Sequence, residues 1–452
     1  MPDRYLESLV CPLPKDIAAL KGAGEFDLAL QLIERRLKEP LPEMLKNRLE
    51  TERFLLPKLA GSYTLSHEDL LAEMQKRVPD FTAGELDELL LNGKLDFIYV
   101  NGQRGYFNRM PGSLLKAIPS LKKRALPDGG VQTDLDGIIR RMKQRDVVFR
   151  YRLRADVKID DDEPGAVYRI HMPLASRSMQ QEPAADVTCS VPFRADAEDA
   201  LQRTAYIETT EKEIRLEYTV VQRPKYVDPL DESIHRIIYP DARPVCPEDF
   251  IEQPPHLSFT PYLKALAKEL RGEETDPVKT AWRFYDYITS RVIYSFMPSY
   301  RLMESGAEYT AVNRRGDCGM LALLFIALCR ISGIPARWQS GLEAGPCEVG
   351  HHDWAEFYSE RLGWLPVDCS FGGSAYRAGN EERRRFYFGN LDPYRMVANR
   401  AYYAPFSPAK KYPRSDPYDS QGGEAETATH GLLDDEFDSE YTLLWHEITD
   451  AE

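Results

Sequence analysis

Apolar residues at i, i+3, i+4, i+7 and i+11 mark the first element: Phe26, Ala29, Leu30, Ile33 and Leu37 form one stripe within a helical stretch at residues 16–56, broken at Pro40 and Pro42. Two further helices are predicted behind Ser66 and Thr82. Thr82 stands three residues before Glu85, the spacing at which a hydroxyl and a carboxylate cap a helix reciprocally. The run Phe97 to Val100 then meets Asn101 and Gly102, a pair suited to a two-residue hairpin turn, and the chain returns through Gly105 to Phe107. Helix, helix and hairpin in this order predict a winged-helix-like unit at about 62–110. The whole of 1–143 is expected to be a helical N-terminal region, closed by a connector with a turn at Pro127, Asp128, Gly129 and Gly130.

From Val147 the period shortens to two. Five runs (VVFRYRLRADVKI, AVYRIHMPL, ADVTCSV, TAYIETT and EIRLEYTVV) alternate polar with apolar residues and are separated by turn-rich segments, which predicts a β-sandwich-like domain at 144–225. A Pro-rich crossover leads into a third unit, 226–405, where Asp276 and Pro277 supply an N-cap and a first-turn proline. The extension 406–452 starts with Pro, Ser and Lys. It ends in an acidic segment, read either as an edge strand or as a mobile tail, whose acids at 434–440 are expected to face solvent. The fold class expected is α+β and multidomain.

Composition narrows the class of partner. With 58 Lys+Arg against 72 Asp+Glu the formal net charge is -14, which works against binding a phosphate backbone. The helix expected at 82–92 carries Glu85, Asp87 and Glu88 without Lys or Arg, so a winged-helix reading does not make it a DNA reader. No nucleic-acid or membrane partner is expected, and no run approaches the roughly 18 apolar residues of a membrane span. The N-terminal region is left open to a protein partner. The start MPDRYLESLVCPLPKD lacks a basic stretch followed by an apolar one, and the location expected is cytoplasmic. Seven scattered cysteines without a CxxC pair indicate neither a disulfide framework nor a zinc ribbon. Cys347, His351, His352 and Cys369 lack the paired spacings of a structural zinc site, and the acidic runs 160–163 and 434–438 lack the pattern of a calcium loop and are read as solvated turns. No metal or cofactor is expected.

The chemistry concentrates in 313–373. Cys318 follows Gly316 and Asp317 and opens a run that is apolar almost all round to Ile331, with Gly333 beyond it, so a buried helix is predicted with the thiol at its N-terminus. Unpaired N–H groups there favour a thiolate and an oxyanion alike. Cys329, further along the same run, reads as a core residue. Downstream, an aromatic strand holding His351 to Tyr358 turns at about Glu360 into a second, Trp364 to Asp368. With Glu360 as centre, His352 and Asp368 are expected directly opposite each other, a spacing that suits a carboxylate orienting an imidazole. A nucleophile, a base and an orienting acid are then at hand, with His351 as competitor on the opposite face.

These residues also resemble a known family. GDCGMLALLFIALCRISGIPAR, then His352, Trp354 and Glu356 as HxWxE, then GWLPVDCSF around Asp368, are similar to the transglutaminase-like superfamily, specifically bacterial members with a Cys-His-Asp triad, across about 276–373. The resemblance implies a papain-like core over 226–405, with Cys318 as nucleophile, His352 as general base and acid, and Asp368 as orienting carboxylate. It implies acyl transfer on peptide or side-chain amides of a peptide or protein substrate through a thioester. Hydrolysis is preferred to transamidation, since water needs no acceptor pocket. Trp354 is expected to pack near His352. For a second oxyanion donor Asn313, Tyr309 and Gln339 are candidates. The rival reading is a non-catalytic binding scaffold of the same fold.

Overall fold

The structure is a computed structural model, and it describes residues 4–127, 133–416, 418 and 421–451. The turn expected at Asp128 to Gly130 lies outside these residues. At the N-terminus the helical stretch is three helices, Lys15–Ala23, Phe26–Arg36 and Glu43–Gly61, closed over Ile17, Phe26, Ala29, Ile33, Leu49 and Leu56. Gly24 divides the first two with φ at 78°, and a side chain there would collide with the Tyr99 carbonyl. Helices His67–Arg77 and Ala83–Leu91 each begin with a capping box, Ser66 with Asp69 and Thr82 with Glu85. The hairpin Phe97–Val100 and Gln103–Tyr106 turns on Asn101 and Gly102, both at positive φ (48° and 82°), as a type I′ turn requires. A bridge from Leu65 to Tyr106 joins the hairpin to the helices, so the order helix, helix, hairpin is present as one packed unit around Leu70, Met74, Leu86 and Tyr106.

All five β runs form strands, Val147–Ile159, Tyr168–Pro173, Ala185–Cys189, Thr204–Thr209 and Glu213–Gln222, and they divide between two sheets. One sheet runs Ala185–Cys189, Glu213–Gln222, Val147–Ile159; the other holds Phe193–Ala195, Thr204–Thr209 and Tyr168–Pro173. Both take further strands from the end of the chain. Phe437–Asp450 pairs antiparallel with the full length of Val147–Ile159, while Glu424–Glu426 pairs with Tyr168–Pro173 and carries Gly431–Leu432 outside it. The sheets enclose Phe149, Tyr151, Ile170, Met172, Leu216 and Tyr218 in a core that also admits Leu342, Met396 and Ala398. The expected boundaries at 225 and 406 therefore separate segments that share one core. The physical reason is the long strand at 147–159, whose second edge would otherwise present unpaired backbone groups.

In the third unit the helix Cys318–Ile331 is buried from Gly319 to Arg330. Being apolar on every side, it needs cover on every side. Helices Pro261–Arg271 and Pro277–Arg291 supply part of it, the latter begun by Asp276, whose carboxylate accepts the Lys279 N–H at 2.8 Å. The rest comes from an antiparallel sheet in the order Gly363–Val367, Val349–Ser359, Ala336–Ala344, Arg395–Asn399. Ala336, Trp338, Ala355, Phe357, Leu365 and Val367 of that sheet join the helix in one hydrophobic core. Among the described residues no helix is long and apolar enough to cross a membrane.

Candidate active site

Asp317 caps the buried helix, its Oδ1 accepting the Met320 N–H at 3.2 Å and the hydroxyl of Tyr300. That leaves the N–H groups of Cys318 and Gly319 without intrahelical partners at the helix start. Gly319 is required here, because a Cβ would come within 2.3 Å of the Tyr300 hydroxyl and 2.7 Å of Asp353 Oδ2. Burial pushes the Asp317 carboxyl up to about 6.

Cys318 is partly exposed and faces a cavity of about 580 Å³. Arg109 and Lys116 from the N-terminal region, Tyr300, His351 and Asp353 from the third unit, and Gln421 from the C-terminal segment all contribute to its walls. The sulfur lies 3.4 Å from Asp353 Oδ2, and the Asp353 backbone N–H also points at it. Burial, then the charges of Asp353 and Asp317, hold the thiol well above its ordinary value. The expectation that the helix N-terminus favours a thiolate is thus outweighed: desolvation and two carboxylates act against one helix end.

His352 and Asp368 come together as expected, with His352 Nε2 2.8 Å from Asp368 Oδ2. The register that achieves this differs from the expected one. Ser359 pairs with Gly363 and Ala355 with Val367, so the hairpin is centred on Arg361 rather than Glu360. Continued past Val367, this register sets Asp368 level with Trp354. A shift of two positions keeps both side chains on one face, and they meet diagonally. Asp368 also caps the helix Cys369–Arg377, its Oδ1 accepting the Phe371 N–H at 2.8 Å.

Arg395 completes this group. Fully buried, it places Nη2 3.1 Å from Asp368 Oδ2 and 3.2 Å from Asp392 Oδ2, with its guanidinium over the Phe371 ring. Burial alone would raise the Asp368 carboxyl, but His352 and Arg395 bring it below the usual carboxylate value. Burial lowers His352 despite the Asp368 charge, which keeps the ring neutral at neutral pH. Nε2 is taken by Asp368, so Nδ1 is the nitrogen left for a thiol. Among the described residues no hydrogen bond joins Cys318 to His352. Strand alternation is the cause: Asp353, Ala355 and Phe357 face the helix, whereas His352, Trp354 and Glu356 face away from it.

His351, expected to compete from the opposite face, shares the Cys318 cavity with Asp353 and sits 6.3 Å from the Tyr441 ring. The other members of the HxWxE pattern are structural. Trp354 stacks on His352 at 5.9 Å and donates Nε1–H to Gln339 Oε1 at 2.7 Å, and Glu356 forms a buried ion pair with Arg337. None of the three expected oxyanion donors lines the cavity. Gln339 faces Trp354 and Ser178 on the far side of the sheet, and Asn313 binds the Tyr309 carbonyl on a helix that borders a different cavity. Sequence reasoning missed Asp353 and Arg395. For Asp353 a signal existed in the apolar pair Ala355 and Phe357, which marks the helix-facing parity of the strand.

Residues 264–369 match the profile of the transglutaminase-like superfamily. An uncharacterised protein of Haemophilus influenzae is 24% identical over 150 residues, covering 27% of this chain and 40% of the relative, so the match spans less than half of that relative's length. Among solved structures, a candidate cysteine protease from Cytophaga hutchinsonii is similar at 16% identity and a TM-score of 0.42, over 68% of this chain and 94% of that one. The periplasmic domain of TgpA from Pseudomonas aeruginosa is similar at 17% identity and a TM-score of 0.29, over 56% of this chain and 96% of that one. With Cys318, His352 and Asp368 all inside the matched stretch, the chain carries a domain of the transglutaminase-like superfamily.

Proposed function

We propose that this protein performs cysteine-dependent acyl transfer on peptide or side-chain amides, with Cys318 as nucleophile, His352 as base and acid, and Asp368 as the group that orients the imidazole. The observation that carries the reading is the buried His352–Asp368 hydrogen bond, made within the same family-matched stretch that places Cys318 at a helix N-terminus on a cavity. In the resting state both thiol and imidazole are neutral. The thiol leaves Asp353, His352 Nδ1 takes its proton, and Asp368 stabilises the imidazolium while sulfur attacks the amide carbonyl. The N–H groups at the helix start stabilise the oxyanion. The intermediate collapses as the imidazolium protonates the leaving amine, and a thioester remains. Water then resolves the thioester in hydrolysis, the preferred outcome, or an amine resolves it in transamidation. A cytoplasmic setting is proposed with it, supported by seven unpaired cysteines.

A second reading has His351 as the base, favoured by its place on the Cys318 cavity. The test is acyl-enzyme trapping with a peptide panel, followed by release with water or an added primary amine. Cys318→Ala should form no adduct. His352→Ala should lose at least about 10²-fold in acylation while His351→Ala stays within a few fold; the reverse result moves the base to His351. Full activity in Cys318→Ala refutes the cysteine chemistry, whereas no adduct with any peptide of the panel in the unaltered protein leaves the binding scaffold as the reading.

A further inference from the structure

The two acidic runs at 160–163 and 434–438 are far apart in sequence, one following the strand Val147–Ile159 and the other leading into Phe437–Asp450, which pairs with it. The antiparallel register brings them to the same end of the sheet, and His430 stands between them. Its Nε2 is 3.7 Å from Asp161 Oδ1 and 3.8 Å from Glu436 Oε1, and the three donor atoms lie within 4.8 Å of one another. Donors at zinc bond lengths of about 2.0–2.2 Å and tetrahedral angles stand about 3.4 Å apart, so the two separations from Nε2 need only a slight contraction, while the two carboxylates, within 4.8 Å of each other, can close further by side-chain rotation.

Hydrogen bonding fixes the ring. Nδ1 lies 3.0 Å from Thr429 Oγ1, which itself reaches Glu163 Oε2 at 2.8 Å. A carboxylate only accepts, so the Thr429 hydroxyl donates to Glu163, and Thr427 Oγ1 lies 3.1 Å from the same Nδ1. With Nδ1 held among these hydroxyls, Nε2 faces the two carboxylates across gaps too long for hydrogen bonds, and a cation placed between them would reach all three donors. Asp161 gives an independent indication: it is only 7% exposed, and its Oδ2 is buried with no hydrogen-bond partner. The Tyr168 phenol beside it is raised by burial and by the Asp161 charge, and Lys212 is engaged with the Asp161 main-chain carbonyl. Glu163, 3.7 Å from Nδ1, stands where a carboxylate supports a metal-bound histidine from behind.

We propose that Asp161, His430 and Glu436 bind one divalent ion of the zinc class, with water completing the coordination. One imidazole with two carboxylates suits zinc or a neighbouring transition metal better than calcium, which takes oxygen ligands throughout. The ion would tie the sandwich to the chain leading into Phe437, Asp438 and Ser439, residues that also line the Cys318 cavity.

The test uses the full chain, stripped with a chelator, reloaded with zinc and desalted. About one equivalent should remain by elemental analysis, and the thermal midpoint should rise, since the ion binds the folded state alone. The cobalt(II) form should show d–d bands without sulfur-to-metal charge transfer, which separates this site from adventitious binding at cysteines. His430→Ala and the milder Glu436→Gln, at a side chain 42% exposed, should each lower zinc retention at least about tenfold with the circular dichroism unchanged. Failure to retain zinc, retention that survives both substitutions, or a thiolate cobalt spectrum would overturn the proposal.

Discussion

The two faces of the strand Val349–Ser359 solve opposite electrostatic problems. On the face turned from the helix the buried charges are paired: Asp368 with Arg395, beside the neutral His352, and Glu356 with Arg337. On the helix side, carboxylates gather instead around a thiol, with Asp353 and Asp317 both holding the Cys318 proton in place. A thiol and an imidazole are thus kept neutral on either side of one strand. Under the mechanism proposed above, the difference makes activation a proton transfer past the strand edge and not the release of a thiolate already formed. The pairing with Gly363–Val367 stops at Ala355, and beyond it Gln421 Nε2 donates to the His352 carbonyl at 3.0 Å.

The largest effect should follow from breaking the compensated face. Arg395 is fully buried between Asp368 and Asp392, so Arg395→Met leaves two carboxylates without their cation. Removing one partner of such a group costs about 3–5 kcal/mol, which chemical denaturation will read directly. A loss under about 1 kcal/mol would mean that the carboxylates share a proton and that the charge balance drawn here is wrong.

Acid should weaken both faces next. The folded-state value of His352 is lowered by burial, so its contribution to stability is complete above about 6.5 and drains away as pH falls through the folded value. Asp368, also lowered, loses its contribution in the same direction at lower pH. Stability measured from pH 7 downward should therefore fall, and His352→Gln should flatten the upper part of that fall. Burial lowers His351 on the other face as well, so the same change there should flatten the fall in the same direction, without the Asp368 contribution that His352 carries.

A smaller change sharpens the uncompensated face. Asp353→Asn removes a negative charge 3.4 Å from the thiol, so the Cys318 value should drop and alkylation by iodoacetamide at neutral pH should accelerate, by about tenfold for each unit lowered. Peptide mass spectrometry against the six other cysteines checks it. An unchanged rate would assign the thiol's protonation to burial alone.

How far all this was legible differs from element to element. The capping box at Thr82 and Glu85, the Asn101–Gly102 turn, the Asp276 cap and the five β runs are local signals, and each appears where the sequence puts it. The pairing of His352 with Asp368 was legible too, because a register error of two residues preserves the face. What was not legible is which face meets the helix, since alternation divides a strand into two sets without saying which set faces which neighbour. The pairing of Phe437–Asp450 with Val147–Ile159 was hidden for a related reason: nothing local in an acidic strand names a partner almost three hundred residues earlier.

The smallest expected effect tests whether the two faces communicate at all. Trp354→Phe keeps an aromatic ring beside His352 but deletes the 2.7 Å bond from Nε1 to Gln339 Oε1. One lost hydrogen bond with its acceptor left buried costs about 1–2 kcal/mol, visible as a shift in denaturation midpoint. The alkylation rate of Cys318 should not move, because the Trp354 indole lies across the sheet from the thiol. If the rate does change, the strand transmits packing from one face to the other. Proton transfer between Cys318 and His352 would then have to be treated as coupled to the order of that ring.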